Sequence, residues 1–115
     1  MKRVLTVASV VELATGVALL VVPAFAGRIL LGAELAGVSI PVARVAGIAL
    51  IALGIACLPG KALLGMSAYG TLVTLYLAYV GIADKFAGIL LWPAVAAHAV
   101  LTLLLGQQFF KRNAP

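Results

Sequence analysis

Residues Ile40 to Leu58, IPVARVAGIALIALGIACL, form an apolar run interrupted by a single charge, Arg44. About 20 mostly apolar residues cross a hydrocarbon core of about 30 Å, so the run reads as a transmembrane helix. A guanidinium inside such a helix costs about 3 kcal/mol on insertion scales, which predicts that Arg44 faces protein, water or an acidic partner.

Outward from this run the same pattern repeats. The sequence predicts spans over about 4–22, 39–58, 62–83 and 89–106, within a single domain covering residues 1–115. With 65% hydrophobic and 10% charged residues among 115, the chain lies far outside the composition of a water-soluble domain. The fold class expected is an all-α integral membrane protein, an antiparallel bundle of four transmembrane helices. Residues 23–38, PAFAGRILLGAELAGV, are too short and too charged to span, and a short helix lying in the interface is expected there. Pro59-Gly60 and Asp84-Lys85-Phe86 mark tight turns between successive spans.

Cations give an orientation. Lys2, Arg3, Lys61, Lys111 and Arg112 fall on one side of a four-span chain, and only Arg28 and Lys85 on the other. The positive-inside rule then places both termini in the cytoplasm. The net charge of +5 is therefore topological, and without an aromatic-basic patch no nucleic-acid partner is expected. Met1-Lys2-Arg3 before an apolar run also begins signal peptides, but the run continues past Glu12 to Val22 and is read as a retained helix.

The candidate site is the set of polar residues inside these spans: Glu12, Arg44, Tyr69, Tyr76 and His98. At 1.5 Å per residue, Glu12 and His98 come out near ~12 Å from the cytoplasmic end, Tyr69 near ~10 Å, and Arg44 and Tyr76 near ~21 Å. An offset of about 9 Å between Glu12 and Arg44 is short enough for long side chains to close. A buried Glu12–Arg44 ion pair is expected, with Tyr76 supporting Arg44 and His98 supporting Glu12. Such a cluster is either structural or a ligand or proton site. Ala43, Gly47 and Gly54 share one helix face, and Gly70 and Ala78 belong to another small-residue stripe, so both faces suit close helix packing.

Catalytic sets are missing. Cys57 is the single cysteine and His98 the single histidine, which rules out a CxxC centre and a thiolate cluster, and neither a metal site nor an enzyme is expected. No cofactor is expected either, a haem held by His98 alone being the weakest alternative.

ARVAGIALIALGIACLPG at 43–60, preceded by ELATGVALLVVPAFAGRILLGAE and followed by LVTLYLAYVGI and LLWPAVAAHAVLTLLLG, resembles small four-helix bacterial inner-membrane proteins broadly of the DoxX-like superfamily. The resemblance implies a four-helix membrane bundle and carries no catalytic residues. Two functions compete. One is an accessory or structural subunit partnered by the bilayer and by other membrane proteins or its own copies, with a lipid, quinone or small hydrophobic ligand as a further partner. The other is a proton-coupled carrier or binder of a small hydrophobic or cationic molecule using Glu12, as in the small multidrug resistance transporters, which have a similar length and a membrane glutamate in their first helix. Arg44 counts against the carrier, since it would neutralise the acid needed to bind a cation.

Overall fold

The computed structural model describes residues 2–83 and 88–112, which form five helices: α1 (Lys2–Val21), α2 (Pro23–Leu31), α3 (Ser39–Ala56), α4 (Ala62–Ala83) and α5 (Leu91–Arg112). No strand occurs among the described residues. Four of the helices, all but α2, are long and apolar enough to cross a membrane.

Local chemistry sets the helix ends. Pro23 opens α2, where its missing N–H costs no helical bond. Gly32 closes α2 in a left-handed conformation (φ 78°) and donates its N–H to the Arg28 carbonyl, 3.1 Å away. Before α3, the Ser39 hydroxyl donates to the Ala36 carbonyl at 2.6 Å and accepts the Ala36 N–H at 3.0 Å. Pro59 and Gly60, the latter at φ 70°, make the turn into α4. The last helix departs from the expected 89–106: it begins at Leu91 and runs to Arg112. Gly106 does not stop it, because Gln107, Gln108, Lys111 and Arg112 are good helix formers. The expected turn at Asp84-Lys85-Phe86 lies outside the described residues.

The expected bundle is replaced by an open row. Helix α1 packs on α3, α3 on α4 and α4 on α5, with α2 touching α1 and α3. Among the described residues α1 reaches neither α4 nor α5, and α3 does not reach α5. The three extents are correspondingly unequal, 47 × 36 × 16 Å. A closed bundle would need its first and last long helices to meet, and they stand at opposite edges.

Glycine sets the spacing within the row. A Cβ on Gly47 would lie 2.6 Å from the Gly16 carbonyl, and one on Gly16 would lie 2.7 Å from the Gly47 carbonyl, so the two backbones touch directly. Gly54 abuts Leu13 and the Ser9 carbonyl, and Gly65 on α4 abuts the Ala52 carbonyl on α3. Gly70 meets the Thr102 hydroxyl, and Gly81 meets Leu91 and Trp92. Buried residues concentrate on the inner helices α3 and α4, while α5 has none.

Candidate functional site

The contacts between α1 and α3 fix the heights of the two lone charges. Ser9 lies opposite Gly54, and Gly16 opposite Gly47 and Ile51, so partner numbers fall along α3 as they rise along α1. By interpolation Glu12 stands near the level of Leu53. That puts it about 13 Å along the axis from Arg44. Among the described residues the only ion pair is Arg28–Glu34, at 3.1 Å and largely exposed.

The expected Glu12–Arg44 pair is therefore not formed. An offset of about 9 Å holds only if the ends of the spans share a common plane. In the structure the Gly16–Gly47 contact sets the register instead, and it slides the two charges apart. Glu12 is half-buried and makes neither an ion pair nor a hydrogen bond among the described residues.

Arg44 is also half-buried. Its Nε is shut off from the surface without a hydrogen-bond acceptor. Its terminal nitrogens are not among the enclosed unpartnered atoms and have no bond among the described residues, so they reach the surface. The guanidinium is thus enclosed at its stem and open at its tip.

His98 does not support Glu12, because α5 and α1 never meet. Its Nδ1 lies 2.8 Å from the Ala94 carbonyl one turn back, and its ring stands edge-on to Tyr69 with centroids 6.0 Å apart. With Nδ1–H donating to that carbonyl, Nε2 is the ring's acceptor. Tyr76 likewise makes no bond to Arg44; it lies against Tyr79, with centroids 6.3 Å apart. Tyr69 lines a shallow apolar groove of about 220 Å³ between α3 and α4, with Ala49, Leu53 and Met66 among its other walls.

The predicted small residues are distributed along the helix seams. Gly47 and Gly54 meet α1, Gly70 meets α5, Ala43 is buried on α3, and Ala78 is half-buried on α4. Of the five polar residues Tyr69 and His98 form one close pair, Glu12 and Arg44 stand at different heights, and Tyr76 bonds to neither charge. No group of three His, Cys, Asp or Glu side chains gathers among the described residues.

Hydroxyl groups carry bonds that the reading of charges passed over. Ser9, only 1% exposed, donates to the Gly54 carbonyl across the α1–α3 seam at 2.6 Å. Thr74 donates to Gly70 and Thr102 to His98, each within its own helix at 2.6 Å. Ser67 Oγ is buried without a partner. The position of Ser9 on the face of Glu12 and Thr15 is visible in sequence, but nothing there separates a serine bonded across a seam from one bonded back to its own helix.

The chain matches no protein-family model, no curated protein and no solved structure.

Proposed function

We propose that the chain is a multi-pass protein of a bacterial inner membrane, its four long helices crossing in alternating directions with both termini in the cytoplasm, and that it serves as an accessory or structural subunit, in the manner of the DoxX-like proteins it resembles. The supporting observation is the unfilled packing of α5, a 22-residue apolar helix with no buried residue. In lipid, helices associate through close contact and interhelical hydrogen bonds, since apolar burial gives little driving force there. An edge helix covered on one side by α4 leaves most of its surface for lipid or for another protein. Without an ion pair fixing α1 to α3, this open edge is what favours a subunit.

A photo-crosslinking residue at Leu103, exposed on α5, tests the reading in native membranes. The expected product is one discrete protein adduct, either the chain itself or a single partner, lost when Leu103 is moved to the buried position Val73 on α4. Lipid adducts alone, with a monomer in mild detergent, would overturn it.

The second reading, a proton-coupled carrier or binder, is favoured by one observation: Glu12 has no partner among the described residues. Proteoliposomes carrying the wild type would accumulate a lipophilic cation under a proton gradient, and Glu12→Gln would abolish the uptake. Equal uptake by the two removes this reading.

A further inference from the structure

We propose that Arg44 is the recognition residue of a phospholipid site, holding one lipid phosphate at the end of the helix row where α2 joins α3. A guanidinium with no acceptor among the described residues calls for a partner, and with Nε enclosed it is the open terminal nitrogens of Arg44 that can take one. The guanidinium carries five N–H groups and no acceptor, in a planar fork that matches phosphate oxygens. Among the described residues neither a carboxylate nor a carbonyl bonds to it.

Position selects a lipid phosphate over other anions. Arg44 is the sixth residue of α3, about 7 to 8 Å along the axis from Ser39. Helical side chains lean toward the N-terminus, so the tip is carried toward that end, as arginines near the ends of membrane helices reach for the interface. At the same end Arg28 is already neutralised by Glu34, which leaves Arg44 as the uncompensated cation there among the described residues. Between α3 and α4 near this end, Val38, Val42, Val45, Leu77 and Val80 line an apolar groove of about 270 Å³, suited to the start of an acyl chain. Arg44 supplies the charge-assisted clamp for the headgroup, and the groove, which Arg44 does not line, lies at the same end of α3.

The inference rests on the membrane placement proposed above, and the two fail differently. Alkaline extraction tests placement: a chain released from membranes defeats that reading. For the lipid site, the full chain is exchanged in detergent into phosphatidylglycerol and weighed intact after stepwise delipidation. The wild type is expected to retain one phospholipid, Arg44→Gln about tenfold less, the size of losing one charge-assisted contact, and Arg44→Lys an intermediate amount because lysine acts only as a point charge. Independently of any variant, the wild type exchanged into a phosphate-free diglycosyl diacylglycerol is expected to retain none. Equal retention of the glycolipid overturns the proposal, as does unchanged phospholipid on Arg44→Gln. Should that variant not purify, unchanged retention by Arg44→Lys overturns it too. Inorganic phosphate at millimolar concentration should not displace the lipid; full displacement would reassign the site to free anions.

Discussion

The seam between α1 and α3 and the seam between α4 and α5 are built differently. The first brings two backbones together at Gly16 and Gly47 and is crossed by a hydrogen bond from Ser9 to Gly54. The second places side chains against glycines, Thr102 on Gly70 and Trp92 on Gly81, and both of its threonine hydroxyls turn back into their own helices. One seam is locked by main chain, which cannot yield, and the other by rotamers, which can. It follows that α1 and α3 form the rigid part of the row and α5 its adjustable edge.

The sharpest way to break this contrast is Gly47→Leu. Its Cβ alone would meet a carbonyl at 2.6 Å, so the helices must part, and about 3 kcal/mol or more should be lost in detergent unfolding, with little protein accumulating. An unfolding midpoint near wild type would show that the first seam is not locked by main chain. Gly70→Val should cost less, about 1 to 2 kcal/mol, because Thr102 can rotate. Adding Thr102→Ala should restore most of it, and failure to recover would place the strain in the backbone.

Smaller effects separate the hydroxyls. Ser9→Ala removes a bond between helices and should cost about 1 kcal/mol, within the range measured for such bonds in membranes. Thr74→Val removes only a bond within α4 and should change stability by less than about 0.5 kcal/mol. If the two substitutions cost the same, the distinction between seams loses its hydrogen-bond half.

Much of the helical layout is legible in the sequence because it depends on local chemistry: proline and glycine punctuation at Pro23, Pro59 and Gly60, and apolar runs of spanning length. The small residues Gly47, Gly54 and Gly70 could also be read as contact points. Their partners could not. In lipid an outward face and an inward face can both be apolar, so periodicity does not say whether α1 turns toward α3 alone or toward α5 as well. The register between α1 and α3 is a long-range fit of Gly16 to Gly47, and the axial offset of about 13 Å between Glu12 and Arg44 follows from it. Two lone charges in apolar sequence suggest a pair, but the sequence cannot show that packing of glycine against glycine holds them apart.

The open row itself is tested most directly by one distance. Spin labels at Val10 on α1 and Leu104 on α5, both exposed, in a Cys57→Ser background, would be measured by double electron–electron resonance in nanodiscs loaded with mostly unlabelled chain. Three successive helix spacings of about 8 to 10 Å put the labels roughly 25 Å apart, and a single distribution centred there is the expected result. A distribution near 10 to 15 Å, the separation of neighbouring or diagonal helices in a closed four-helix bundle, would contradict the row.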